Sequence, residues 1–560
     1  MKRTWKIIIT VAVVLIFAAA GVTWYLSVHW KGILDKELRR YVQEGSDSLY
    51  TLAYGRLDLN LLNGSLIIHH VALIPDSAVY QRLVAQQKAP KVLINAKMER
   101  LQVSRMKLWR YFLNKEVDAS SFSLVDPELV ITEDQRSVDT TTQQRSFYEV
   151  VNKNIRHFSI GRVYMDKIKL TFTQIGKDSS KVISKLEDVG VNIRGLQIDS
   201  LSQSDPTRFL YARAFDVSLE KWDHRTPDSL YWLHVKKVTY HATDEILDVG
   251  EVELKPRYNR ADFDKQIKTQ KDMFQLVFRN INLKGLSRFD LQRQRLHIQS
   301  GSINGGELNV YRNRALPMPP GDKYGQFPNQ LLAKLKLPLQ IDTLTASGVD
   351  VSYTELNPKN GETGKIQFQR AGGTFRHITN IDSLVAQNKH CTVDLHAILM
   401  KSGKLRASFD FILGDESGAF SVSGQLNNMD GKEFNPVTKP LGMVEIRSAQ
   451  IKELEFNFQG NERSASGTLK FLYSNLKISM LKEEKDPNGN QRKGLASLLA
   501  NLMAIKNENP SPGEAVRIVK PRFQRDPKKS FFNLVWKTIF TGVKETVGTA
   551  LLASMDERKK

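Results

Sequence analysis

The chain is poor in the residues that carry chemistry. Cys391 is the only cysteine in 560 residues, which excludes an intrachain disulfide and any cluster of thiolate metal ligands. A lone cysteine of this kind reads as a small buried hydrophobe. Catalytic signatures are missing as well: there is no H-E-x-x-H, no G-x-S-x-G, no phosphate loop and no dinucleotide fingerprint. His69-His70 is the nearest approach to a metal pair. Neighbouring strand residues point to opposite faces, however, so the two do not share one ion. No catalytic residue, metal site or cofactor is therefore assigned, and the chain does not read as an enzyme.

Acidic residues are in deficit, 60 against 81 lysines and arginines, for a formal charge of +21. That excess points to a polyanionic partner, either nucleic acid or a surface of anionic lipids. The basic residues are spread along the chain, with a denser stretch from Arg517 through Lys520, Arg522 and Arg525 to Lys528 and Lys529. No zinc-ligand pattern or aromatic RNA-binding signature accompanies them, which turns the reading away from nucleic acid.

Long apolar runs are scarce, and one alone reaches membrane-spanning length. Residues Ile7 to Leu26 carry no charge. At about 1.5 Å per residue this stretch reaches about 30 Å, the thickness of a hydrocarbon core. Ile7, Leu15 and Phe17 would lie within the bilayer, and Trp24, Tyr25 and Trp30 suit its far interface. Lys2, Arg3 and Lys6 precede the run and place the N-terminus in the cytoplasm. Ala18-Ala19-Ala20 would serve a signal peptidase, the rival reading. The apolar run continues past those alanines, which favours an uncleaved anchor.

What the chain has in abundance is β texture. KGILDKELRRYVQE reads as a short helix leaving the anchor, and KLWRYFLNK, FPNQLLAKL and RKGLASLLANLMAI as further short helices. Most of the rest alternates apolar with polar between Gly, Asn, Asp and Pro. In RLDLNLLNGSLIIHHVALIP, Asn63-Gly64 between alternating runs predicts a two-residue hairpin turn. Leu61 then faces Leu66, Leu59 faces Ile68 and Asp58 faces His69. Leu57, Leu59, Leu61, Leu66 and Ile68 share one face, which something must cover.

Three segments align without gaps. Ile160, Val163, Ile168, Leu170 and Phe172 match Ile341, Leu344, Val349, Val351 and Tyr353, and also Ile446, Ala449, Leu454, Phe456 and Phe458. Each has apolar residues at 0, +3, +8, +10 and +12, the mark of an internal repeat. LPMPPGDKYGQFP, residues 316–328, is the best internal break, because Pro319 and Pro320 cannot sit inside a ladder. NENPSPGE is the second. The chain thus divides into a cytoplasmic tip and anchor (1–31), two parts of a β body (32–316 and 317–480) and a helical tail (481–560). In the tail, Phe531, Leu534, Val535, Ile539, Val543, Val547 and Leu551 form a helical stripe, with Trp536 adding to its aromatic character. That helix either caps the β body or lies on a membrane surface.

The combination resembles the AsmA-like proteins of Gram-negative envelopes, in the form common in Bacteroidota. The likeness rests on the anchor followed by YGRLDLNLLNGSLIIHHVALIPDS, on LVDPELVITE with LKPRYNRADF, and on LPMPPGDKYGQFPNQLLAKLKLPLQID. GVDVSYTELNPKNGETGKIQF, GTLKFLYSNLKISMLKEE and the tail RDPKKSFFNLVWKTIFTGVKETVG complete it. These proteins are similar to the bridge-like lipid transfer proteins. The resemblance implies a mainly β fold: a transmembrane helix, then a long, curled, repetitive antiparallel sheet forming a hydrophobic groove, a few short helices and a C-terminal amphipathic helix. It implies that the apolar positions of the hairpin and of the three repeats line the groove. It further implies an inner-membrane anchor, a periplasmic body and the guidance of lipid, phospholipid above all, toward the outer membrane. An envelope protein partner at the C-terminus would fit that role. A non-enzymatic assembly factor for outer-membrane proteins, accepting a partner strand at a sheet edge, is the alternative.

Overall fold

The structure is a computed structural model and describes residues 35–548, apart from 37, 41, 45, 47, 61, 87–88, 91, 135–154, 178–180, 203–204 and 482–504. The expected anchor residues Ile7, Leu15, Phe17, Trp24 and Tyr25 lie outside the described residues, as do Leu61, Leu551 and nearly all of RKGLASLLANLMAI. The described residues are mainly β, 57% strand against 16% helix. They form two compact units. The first ends at Pro227 and also takes Leu233–Glu245, while the second takes Asp228–Trp232 and everything from Ile246 onward.

In the first unit, β1 (Tyr50–Ala53) and β2 (Arg56–Asn60) lie in line along β3 (Ser65–Pro75). Next comes β4 (Val92–Ser104), then β5 (Glu116–Val125) and β6 (Glu128–Asp134) in line, then β7 (His157–Ile175), β8 (Lys181–Ile198) and β9 (Ala214–Arg225). The Leu233–His241 part of β10 (Tyr231–His241) belongs to this unit too, and β10 pairs with β9. β5 and β6 are one strand interrupted at Asp126-Pro127, where a left-handed residue (φ 48°) and a missing N–H break the ladder.

The second unit runs β11 (Ile246–Pro256), β12 (Met273–Lys284), β13 (Leu296–Asn313), β14 (Leu339–Leu356), β15 (Thr363–Thr379), β16 (His390–Leu399), β17 (Gly403–Ile412), β18 (Phe420–Asp430), β19 (Val444–Gly460) and β20 (Ser464–Met480), each paired with the next. Two short strands, β21 (Ile518–Val519) and β22 (Arg522–Gln524), add to the free edge of β20. In both units the strand pairs in extensive contact are hydrogen-bonded neighbours.

The expectation of a purely antiparallel sheet is corrected. β5 and β6 pair with β7 in parallel, and so does β13 with β14. Parallel neighbours need a long crossover, and the Pro-rich stretch 316–328 belongs to the one between β13 and β14. It is therefore not a boundary between units. Its backbone is pinned within the second unit, with Lys323 N–H donating to Pro527 O at 2.8 Å and Gln270 N–H to Pro317 O at 2.9 Å. Of the short helices, Leu108–Asn114 and Pro328–Ala333 match their sequence signals. Ser77–Ala85, Arg260–Gln266, Arg288–Gln292, Asp382–Gln387 and Asn435–Gly442 are additional.

The hairpin forms in a register two residues away from the expected one. Leu59 faces Leu66, Leu57 faces Ile68, and Asp58 faces Ile67 rather than His69. The loop takes residues 61–64 because side chains close it. Asn60 accepts from the N–H groups of Leu62 (3.0 Å) and Asn63 (3.2 Å), and Asn63 accepts from Ser65 N–H (3.0 Å). Gly64 adopts φ 63° and must be glycine, since a Cβ there would stand 2.2 Å from Met106 O. A two-residue slide preserves the facing of every side chain, so the apolar set stays on one surface.

The repeat spacing has a structural cause. Along β7, Ile160, Val163 and Ile168 are all buried, although alternation alone would put Val163 on the opposite face from the other two. Ladder irregularities between Met165 and Leu170 disturb the alternation between Val163 and Ile168. A left-handed residue stands at +7 in the first two repeats, Lys167 (φ 54°) and Gly348 (φ 64°). The ladder shifts register beside them, between Met165 and Ile168 in one and between Ala346 and Val349 in the other. The third repeat shifts between Ile451 and Glu453.

Candidate functional site

Bulged strands in register produce continuous apolar rows. In the first unit one row passes from Leu57 to Ile68, Leu101, Leu124, Met165, Val191 and Val217, one residue per strand. A second passes from Leu59 to Leu66, Val103, Phe122, Val163, Ile193 and Phe215. Beside them Leu129, Leu170, Leu186 and Trp222 make a third. Directly opposed residues lie on the same side of a sheet, so the rows compose one apolar face. Its exposure is uneven: Leu57, Ile68, Val163 and Ile168 are buried, Leu59, Leu66, Leu170 and Phe172 are half-buried, and Val92 and Ile94 are exposed. Leu38 and Tyr54 pack over the end nearest the hairpin.

The second unit continues the pattern within itself. Leu254, Leu276, Leu308, Val351 and Phe368 are cross-strand neighbours in succession, as are Phe274, Val310, Tyr353 and Ile366. Val349 is buried, Val351 and Tyr353 are half-buried, and Phe274 is exposed. Burial and the neighbouring Glu355 carboxylate raise the Tyr353 phenol well above its ordinary range, so it stays neutral and donates to Glu355 at 2.9 Å.

Farther along, the same face is roofed. The helix Phe531–Val547 lies on β20, β21 and β22. Phe531, Leu534, Val535 and Val547 join Leu454, Phe456 and Phe458 in one buried core, with Ile539 and Val543 packed against it. The helix is capped by the Ser530 side chain at its start and by Gly548 in the left-handed conformation at its end. Gly542 lets it approach closely, because a Cβ there would stand 2.9 Å from Leu469 Cδ1. Thr538 and Thr546 are buried with their hydroxyls donating to Leu534 O and Gly542 O. Leu454, Phe456 and Phe458 are at most 8% exposed, as are Ile160, Val163, Ile168 and Val349, whereas Leu170, Phe172, Val351 and Tyr353 are half-buried.

Trp536 does not join the inward stripe. It is exposed, together with Phe532 and Phe540, which lie outside the inward stripe although their spacing of four from Trp536 is legible in the sequence. The polar side of the sheets carries cross-strand ion pairs, among them Arg194–Asp216 (2.8 Å), Arg279–Glu251 (3.3 Å) and Lys470–Glu453 (2.9 Å).

The side chains with chemical potential are committed elsewhere. His69 lies 3.3 Å from Asp58 and His70 lies 3.1 Å from Glu99, so the two rings serve different carboxylates. Among the described residues no three His, Cys, Asp or Glu side chains converge on a metal position. Burial, reinforced by Asp410, raises the Cys391 thiol to about 11 and keeps it protonated. No helix among the described residues is long and apolar enough to cross a membrane. No protein-family model matches the chain, and no curated protein matches it in sequence.

Proposed function

We propose that the apolar sheet face binds the acyl chains of lipids and guides them along its rows, with headgroups left in water. The observation that carries this reading is the run of apolar cross-strand pairs, one residue per strand over successive strands. Along this face Val92, Ile94 and Phe274 are exposed, and an apolar sheet face must be covered by another layer or by a ligand. Acyl chains suit it because the rows are long, continuous and free of charge. Each methylene removed from water contributes about 0.8 kcal/mol, so a continuous face lowers the barrier to moving a lipid without nucleotide hydrolysis by this chain.

The likeness to AsmA-like proteins supports placing the chain in a Gram-negative inner membrane, anchored by Ile7 to Leu26, with its body in the periplasm and lipid moving toward the outer membrane. In this reading the hairpin of β2 and β3 lies at the mouth of a groove, close to where lipid leaves the bilayer.

The test is purification of the full-length protein under gentle extraction, followed by native mass spectrometry and lipid analysis of the bound fraction. Co-purified phospholipid that falls on replacing Leu59 or Val351 with Asp supports the proposal. Protein recovered empty, or lipid content indifferent to both substitutions, counts against it. Crosslinked protein partners along the β body without bound lipid would favour an assembly role.

A further inference from the structure

The outward side of the C-terminal helix is apolar too. Phe532, Trp536 and Phe540 fall four residues apart and share one stripe, with 68%, 43% and 40% of their surfaces exposed. Trp536 and Phe540 stack at 5.9 Å with their planes 18° apart. The fold does not need these rings, since Phe531, Leu534 and Val535 already supply the inward contacts.

Lysines crowd around the stripe. The ammonium groups of Lys537 and Lys544 stand 5.8 and 5.3 Å from the centre of the Phe540 ring. Lys528 and Lys529 lie just before the helix, and Lys323 N–H is tied to Pro527 O beside them. Of the carboxylates that act on this group, Asp272 holds Arg312 through two hydrogen bonds of 2.6 and 2.7 Å, Glu355 holds Arg314 at 2.9 Å, and Glu545 acts on Lys544. Burial lowers the affinity of Lys537 and Lys323 for their protons, and nearby like charges add to it: Lys544, Arg314 and Lys529 for Lys537, and Arg312, Lys529 and Arg525 for Lys323. Crowded cations of this kind are stabilised by an external anion.

We propose that this face docks on a bilayer surface bearing anionic headgroups, with Phe532, Trp536 and Phe540 seated at headgroup level and Lys529 and Lys537 on the phosphates. Rings of this type favour the membrane interface, and lysines beside them respond to anionic lipid. A second copy of the chain fits poorly, because pairing two such faces would bring like charges together. The inference is independent of the acyl-chain reading. It concerns attachment to a membrane rather than lipid carried on the sheet, and the two are measured separately.

The test uses full-length protein in a phosphatidylcholine nanodisc, or in buffer alone if it is recovered without detergent. It is mixed with vesicles of pure phosphatidylcholine or of phosphatidylcholine with about one-third phosphatidylglycerol. The wild type should sediment with the anionic vesicles and bind neutral ones at least about tenfold more weakly. The triple variant Phe532→Ser, Trp536→Ser, Phe540→Ser should lose at least about tenfold in binding while keeping its bound lipid. The variant Lys529→Glu, Lys537→Glu, which leaves the rings in place, should lose the preference for anionic vesicles. Wild type that ignores vesicle charge, or a triple variant that binds as well as wild type, overturns the proposal. So does a two-copy particle that the triple variant dissolves without any vesicle binding.

Discussion

Phe531 meets Phe420 edge-on, with ring centroids 4.8 Å apart and planes inclined by 76°. The first ring belongs to the C-terminal helix and the second to β18, so this contact closes a roof over one part of the apolar face. Phe531→Ala removes a large buried ring and should cost about 3–5 kcal/mol. Hydrogen exchange of β17 and β18 amides should accelerate accordingly, while amides of the first unit stay unchanged.

The difference between half-buried and buried positions of the apolar face is itself measurable. Leu59→Asp and Val351→Asp place a charge on half-buried positions and should lower bound lipid with the circular-dichroism strand signal largely intact. Phe456→Asp buries a charge at a position 5% exposed and should destabilise the second unit by several kcal/mol. Equal effects of all three on folding would mean that the first two are also core positions.

Lys167 holds the left-handed conformation, φ 54°, at the bulge of β7. A β-branched residue is strained there, whereas glycine is not. Lys167→Val should therefore cost about 1–2 kcal/mol, and Lys167→Gly should match or exceed wild-type stability. Denaturant unfolding of the three proteins side by side checks the order.

Asp199 closes a turn after β8. Burial pushes its carboxyl up, but hydrogen bonds from Gln197, Ser202 and His157 outweigh that and hold it at about 2, against 3.8 ordinarily. A depressed carboxylate contributes stability that is present above the ordinary value and lost as pH falls through the folded one. Asp199→Asn should thus lower stability by about 2 kcal/mol at neutral pH. The gap to wild type should close between about pH 4 and pH 2, read from thermal melts across that range.

Much of the fold is legible in the residues. Alternation placed Leu57, Leu59, Leu66 and Ile68 on one face, and that survives the two-residue slide of the hairpin because side-chain facing repeats every two residues. The slide could not be read, since it depends on Asn60 and Asn63 closing a wider loop against Met106, which lies on the chain after β4. The repeat at 0, +3, +8, +10 and +12 was visible as a spacing. Its meaning as a train of bulges appears once Lys167 and Gly348 are seen in the left-handed conformation.

Local pattern alone determined the β character, the apolar rows strand by strand and the inward stripe of the last helix, because each depends on a period of a few residues. The tertiary structure decided which strands run parallel, since that follows from where a long crossover returns. It also decided which part of the apolar face is covered. Leu454, Phe456 and Phe458 carry the same pattern as Ile168, Leu170 and Phe172. They share one buried core with a helix that begins more than seventy residues further along the chain, at Phe531.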